Sequence, residues 1–261
     1  MTTALQIARS GLDALDQKMK AISNNLANVN TTAFKKDRAS FETLMYESGR
    51  SPGDPSGTSA DYAVGLGSGT GVRVAGSERI HTQGSLTQTD NALDLAIEGV
   101  GFFVVTQGDG TTAYTRDGSF KINAEGQMVM GNGDKLTPGI AVPDGAQAIV
   151  IGTDGTVSAR LQGATAATAI GQIQIARFLN PAGLQPVGGN LYTATTASGA
   201  AQVGTPGADG TGMVRQGSLE ASNVSTVQEL VDMIETQRAY EVNAKVINSA
   251  DEMAKYVTQN L

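Results

Sequence analysis

An α+β fold, with helical N- and C-terminal ends enclosing a mainly antiparallel β middle, is the architecture this sequence predicts, and three observations point to it. The stretch from Ser218 to Leu261 contains no glycine or proline, in a chain that has 33 and 7 of them. The first three dozen residues repeat apolar positions in steps of three and four. Between these ends, short apolar runs alternate with Asx-Gly pairs, the signals of tight hairpins.

The first helix is expected from about Thr3 to Asn28, ending in the polar cluster Asn28-Val29-Asn30-Thr31-Thr32. Leu5, Ala8, Leu12, Leu15, Met19, Ile22, Leu26 and Val29 step by 3, 4, 3, 4, 3, 4, 3. That is a heptad seam rather than the broader apolar face of a surface helix. The last helix starts where Ser225 with Gln228, or Thr226 with Glu229, supplies a capping box. Val227, Leu230, Val231 and Ile234 follow at i, i+3, i+4, i+7. Ending near Gln259, it measures roughly 50 Å at 1.5 Å per residue, too long for one small core to cover, so it needs a partner.

The opposite end of the chain is that partner. The expected product is a coiled coil of both termini, with Leu5, Leu12, Leu15, Met19, Ile22 and Leu26 set against Val227, Leu230, Ile234 and Ile247. Arg9/Asp13, Asp16/Lys20, Glu241/Lys245 and Asp251/Lys255 are spaced i, i+4 for surface ion pairs. Residues 1–36 hold five basic and two acidic side chains and residues 219–261 three basic and seven acidic, so the ends attract weakly. The alternative is two amphipathic helices docked separately on a globular middle.

From Val72 to about Gln216 the sequence reads as short strands: Phe102-Phe103-Val104-Val105, Ser119 to Ile122, Ala148 to Ile151, Ile173 to Ala176 and Leu191 to Thr195. Asp109-Gly110, Asp117-Gly118, Asn132-Gly133, Asp144-Gly145, Asp154-Gly155 and Asp209-Gly210 supply the turns. Phe102 and Phe103 alternate across their strand, so one faces the core and the other a second layer or a neighbour. The segment Glu47 to Gly71, rich in Ser, Gly, Asp and Pro, is a functional loop or linker. The domains read as 1–35 with 219–261 for the helical ends, 36–75 for an extended linker and loop region, and 76–218 for the β-rich part.

Composition excludes several classes of function. A net charge of −7 offers no basic stripe to neutralise phosphates, so nucleic acid is not the partner. With no cysteine and one histidine there is no disulfide framework, thiolate metal site or multi-histidine site, and a nucleophilic triad has no anchor. His81 is expected at the surface or in a strand. No apolar run approaches 18 residues, so no membrane insertion is expected, and the amphipathic start lacks the pattern of a cleaved signal. Gly65-Leu66-Gly67-Ser68-Gly69-Thr70-Gly71 is not followed by a helix, so it is no dinucleotide loop. Asp90, Asp94 and Glu98 cluster in sequence without a cleft to flank, and none of the Asp-Gly turns fits a calcium loop. No enzyme activity, cofactor or metal is expected.

Three segments resemble one known family. Ser23-Asn24-Asn25-Leu26-Ala27-Asn28-Val29-Asn30-Thr31-Thr32-Ala33-Phe34-Lys35-Lys36 is similar to the N-terminal signature of the bacterial flagellar rod and hook proteins, with Ala33 where that family usually has glycine. Gly99-Val100-Gly101-Phe102-Phe103-Val104-Val105, Tyr114-Thr115-Arg116-Asp117-Gly118-Ser119-Phe120 and Gly126-Gln127-Met128-Val129 resemble its core segment, with Asn123 where relatives often have aspartate. Leu219-Glu220-Ala221-Ser222-Asn223-Val224 and the run from Glu229 to Lys245 resemble its C-terminal signature. Hook subunits are longer, so a rod subunit fits better.

The resemblance implies a structural subunit that polymerises with its own copies into a hollow periplasm-spanning tube of the flagellar basal body. It implies proximal rod proteins and the hook protein as neighbours along the axis, P- and L-ring proteins around it, and delivery by the flagellar type III export apparatus without a cleaved signal peptide. Asn24, Asn25, Asn28, Phe34, Gln237, Arg238, Tyr240 and Asn243 are the expected contacts between subunits. A rod-stiffening role for the loop holding Tyr46, Arg50, Pro52, Gly53, Pro55 and Tyr62 is likewise carried by the resemblance. Alternatives are another axial subunit, proximal rod or hook, or a β-domain on a coiled-coil stalk as in an adhesin or fibre protein, which would form a small fixed oligomer.

Overall fold

The computed structural model describes residues 2–55, 61–162 and 167–259, and the chain divides into two units. One gathers the described residues of Met1–Ala27, Asp37–Arg79 and Ser225–Leu261, the other Asn28–Lys36 and Ile80–Val224.

The first unit holds two helices, α1 (Thr2–Ala27) and α2 (Thr226–Gln259), in contact with each other. The segment expected as an extended linker is instead built into this unit. Its strands Asp37–Thr43 and Val72–Arg79 pair antiparallel, Asp37 opposite Arg79, with a bulge between Ser40 and Phe41. The pairing is fastened at its open end by a two-pronged ion pair, Arg79 Nε and Nη2 donating to the Asp37 carboxylate at 2.8 and 2.9 Å, the geometry that makes an arginine–carboxylate pair specific. At the other end Gly71 takes φ 117°, and a Cβ there would meet Ser10 Oγ at 2.2 Å. Only glycine lets the ribbon pass this close to α1. Ser10 Oγ in turn accepts from Val72 N.

The β unit is antiparallel in every strand pair described. Its main sheet runs Gln185–Gly188, Leu191–Thr193, Thr112–Thr115, Phe102–Thr106, Lys135–Leu136, Met128–Val129 and Lys121–Ile122 in spatial order. Ile175–Arg177 pairs with both Phe102–Thr106 and Gln202–Gly204. A meander of Ala146–Ile151, Thr156–Leu161 and Thr168–Gln172 stands apart. The central strand is apolar from Phe102 to Val105 because it is buried there on both faces. Phe103 and Val105 face a core with Leu95, Ile97, Phe120 and Ile175, while Phe102 and Val104 face a second cluster with Tyr114, Phe178, Leu184 and Tyr192.

Of the six Asx-Gly pairs, three turn a hairpin: Asp109-Gly110, Asn132-Gly133 and Asp154-Gly155 each lie between strands that pair with one another. Asp117-Gly118, Asp144-Gly145 and Asp209-Gly210 turn the chain between strands with other partners. The strand expected over Ser119 to Ile122 shrinks to Lys121–Ile122, because Ser119 is held in an isolated bridge with Asp94. A hairpin without an Asx-Gly pair joins Lys121–Ile122 to Met128–Val129. Asn123 Oδ1 organises it, accepting from Glu125 N and Gln127 N, a side-chain turn that asparagine makes as aspartate does. His81 lies half-buried, edge-on to the rings of Phe102 and Tyr192 at 5.5 and 5.3 Å.

Candidate functional site

The surface of α2 is the feature the rest of the helical unit frames. The row of α2 turned inward carries Glu229 and Thr236, both buried, with Asp232, Met233, Ala239, Asn243 and Ile247 half-buried. Val227, Leu230 and Ile234, expected in the seam with α1, are instead exposed by 74, 44 and 50%. The physical reason is a polar clasp. Asn25, 2% exposed, donates through Nδ2 to Asp37 O at 2.9 Å and to Glu229 Oε2 at 3.2 Å, and accepts from Asp37 N at 2.8 Å. One amide thereby fixes α1, the ribbon and the first turn of α2, turning Glu229 inward. The apolar residues two before, one after and five after it then point out.

On α1 the buried face is rotated from the leucine seam toward small residues. Ala8, Ala14, Ile22 and Asn25 are buried, whereas Leu5, Leu12, Leu15, Met19 and Leu26 are half-buried. A Cβ at Gly11 would meet Asn243 Nδ2 of α2 at 3.4 Å, an ordinary contact distance. Of the expected intersubunit contacts, Asn24, Gln237, Arg238 and Tyr240 are exposed. Asn25 and Phe34 are buried within the single chain, which corrects their expected place at the surface, and Asn28 and Asn243 are half-buried. The candidate capping-box residues turn elsewhere, Gln228 Nε2 to Asp232 at 3.0 Å and Glu229 to Asn25. Asp16 and Lys20 form their i, i+4 pair at 2.7 Å.

Replacing Asn25 by alanine is expected to cost about 2–3 kcal/mol, since it strands the buried Glu229 carboxylate and the Asp37 backbone together. Urea unfolding followed by circular dichroism checks this. Asn25→Asp is expected to cost more, because it sets one carboxylate against another.

The stretch expected as a loop is a second hairpin, Glu47–Arg50 paired with Leu66–Ser68; its residues 56–60 lie outside the described residues. Arg50 stacks over the Tyr62 ring at 3.6 Å, a cation–π contact. Tyr62 N donates to Asp54 O, and Gly53 N donates to Tyr62 O. Gly53 has φ 89°, Pro55 bridges Asp61, and Pro52 packs where a Gly65 Cβ would come within 2.8 Å. The described part of the hairpin is thus held together from within, while Met45, Tyr46, Val64 and Leu66 are exposed by 87, 67, 74 and 64%.

In the β unit lies a cluster that no periodicity announces. Glu220, fully buried, accepts from Gly84 N at 2.8 Å, from Arg116 Nη1 at 3.1 Å and from Lys35 Nζ. Lys35 also donates to Thr82 O at 2.7 Å, and Arg116 to the Ile97 and Gly99 carbonyls. Burial pulls the Lys35 and Arg116 pKa values below their ordinary ones, against the opposing attraction of Glu220. Beside it, Ala33 holds φ 58° and donates its N–H to Glu220 O at 2.8 Å, so the left-handed backbone is kept without glycine.

Among the described residues no group of three or more His, Cys, Asp or Glu is placed to hold a metal ion, and no helix is long and apolar enough to cross a membrane.

Three family models match. The flagella basal body rod protein model covers residues 5–35, the flagellar hook protein FlgE/F/G D1 domain 96–159, and the flagellar basal body rod FlgEFG protein C-terminal model 215–260. The chain is similar to the flagellar basal-body rod protein FlgG of Buchnera aphidicola subsp. Acyrthosiphon pisum, 47% identical over 99% of this chain and 100% of the relative. It is also similar to FlgG of Agrobacterium fabrum, 46% identical over 99% of each. With the flagellar basal-body rod protein FlgF of Caulobacter vibrioides it shares 34% over 100% of this chain and 98% of the relative.

Proposed function

We propose, for this chain, which belongs to the family of flagellar basal-body rod proteins and is a structural subunit of the flagellar rod, that its copies pack through their helical units into the hollow tube of the distal rod. The observation that carries this reading is the exposure of Val227, Leu230, Val231 and Ile234 on α2 while Glu229 and Thr236 are buried. A helix with its apolar residues outward gains by being covered. In the assembled tube, α1 and α2 act as a coiled coil, with the half-buried Leu5, Leu12, Leu15, Met19 and Leu26 closed over by neighbours. Asn24, Gln237, Arg238 and Tyr240 serve as contacts between copies.

Such a tube transmits torque from the motor to the hook and carries exported subunits through its bore. Its neighbours along the axis are the proximal rod and hook proteins, the P- and L-rings surround it, and the type III apparatus exports the chain. The greater identity to FlgG than to FlgF favours the distal position over another axial subunit. Electron microscopy of the concentrated, purified chain tests the reading: tubes are expected, and a protein that stays monomeric at every concentration and salt would end it.

The hairpin with Arg50 stacked on Tyr62 is read as the stiffening element. Deleting residues 47–64 is expected to give tubes that are visibly more curved, with a shorter persistence length in micrographs. Tubes of unchanged straightness would refute that role.

A further inference from the structure

We propose that the outward ridge of α2 seats in the groove between α1 and α2 of a second copy, a head-to-tail contact in which Arg238 and Lys245 meet Asp16 and Glu241. The inference rests on the assembly reading above and names the two surfaces that would meet. The ridge is Val227, Val231, Ile234, Arg238, Val242 and Lys245, all exposed. Their spacing of 4, 3, 4, 4, 3 keeps them on one face at about 100° per residue, so the ridge is an apolar stripe carrying two cations.

The groove lies within the same unit, roughly a quarter turn further around α2. It holds about 340 Å³ and is lined by Leu15, Met19, Gln237 and Tyr240 together with the exposed carboxylates of Asp16 and Glu241. Asp16 pairs with Lys20, both more than half exposed, a pair worth too little to prevent exchange for a better-placed cation. Ridge and groove are therefore complementary twice over: apolar stripe to apolar floor, and cations to carboxylates. Because ridge and groove are different patches, a head-to-tail pairing leaves a free ridge at one end and a free groove at the other. Repeated with a rotation that does not close into a ring, such a contact builds an open helix.

The chain has no cysteine, so single thiols report the contact. Ile234→Cys and Asp16→Cys are prepared as separate proteins, mixed, assembled and treated with a short bis-maleimide. A cross-linked species of twice the chain mass is expected in the mixed tubes, and not in unassembled protein or in tubes of either variant alone; it can then arise only between position 234 of one copy and position 16 of another. Tubes that form without the cross-link overturn the pairing, and labelling of the Ile234→Cys protein by a water-soluble maleimide distinguishes how. A reactive thiol means the ridge faces solvent, and a protected one that it meets some other surface. If Ile234→Cys does not assemble, Val227→Cys, on the same ridge, takes its place with the same outcomes. Failure of the unsubstituted chain to form tubes would count against the assembly reading itself.

Discussion

Glu220→Gln is expected to destabilise the β unit by about 3–5 kcal/mol, the usual cost of removing one partner from a buried ion pair. The substitution keeps the volume and leaves Lys35 and Arg116, 0% and 4% exposed, facing each other without their counter-charge. Guanidinium unfolding read by tyrosine fluorescence checks it, since the chain has six tyrosines and no tryptophan. Adding Lys35→Met to Glu220→Gln is expected to recover part of the loss, because one of the stranded cations is gone. The exposed pair Arg38–Glu78, 3.0 Å apart, is the contrast: Glu78→Gln is expected to cost under about 1 kcal/mol. Equal effects at both sites would refute the role given to burial.

The other large effect is steric. Gly118→Ala places a Cβ 1.7 Å from Leu95 O and 2.7 Å from Leu95 C. The obstacle is backbone, in a strand whose Leu95 N–H is bonded to Gly118 O at 3.0 Å, so neither side can yield without breaking the contact. A loss above about 4 kcal/mol, or failure to fold, is expected, in the range that marks a named steric or packing fault. Thermal melting against Gly133→Ala isolates the cause. Gly133 has φ 93° but nothing within 4 Å, so only the conformational cost of about 1–2 kcal/mol applies there. Similar melting shifts for the two variants would show that crowding at Leu95 is not what fixes Gly118.

Periodicity and turn chemistry made both helices and the antiparallel middle readable, because each is a local property of the chain. Leu5 to Leu26 and Val227 to Ile234 identify helices whether or not anything covers them. The face each helix turns inward was not legible. That face is decided by Asn25, which reaches Asp37 and Glu229 through contacts 12 and 204 residues away in sequence. An asparagine near a helix end reads the same whether it faces solvent or a buried carboxylate. The Glu47–Arg50 hairpin escaped for a related reason: its residues have low strand propensity, and its order comes from Arg50 on Tyr62. Lys35 and Arg116 lie 185 and 104 residues from Glu220 along the chain, and no spacing rule joins charges that meet only in the fold.

The order in which the helical unit draws on the sequence has a kinetic consequence. Its described parts come from the first, second and last stretches of the chain, with residues 80–224 belonging to the other unit. Asn25 cannot find Glu229 until nearly the whole polypeptide has emerged from whatever delivers it. Loops of that length must close before their contacts return any free energy. The β unit can therefore mature first, while the sticky ends wait for the final helix before they acquire a shape that a neighbour can recognise.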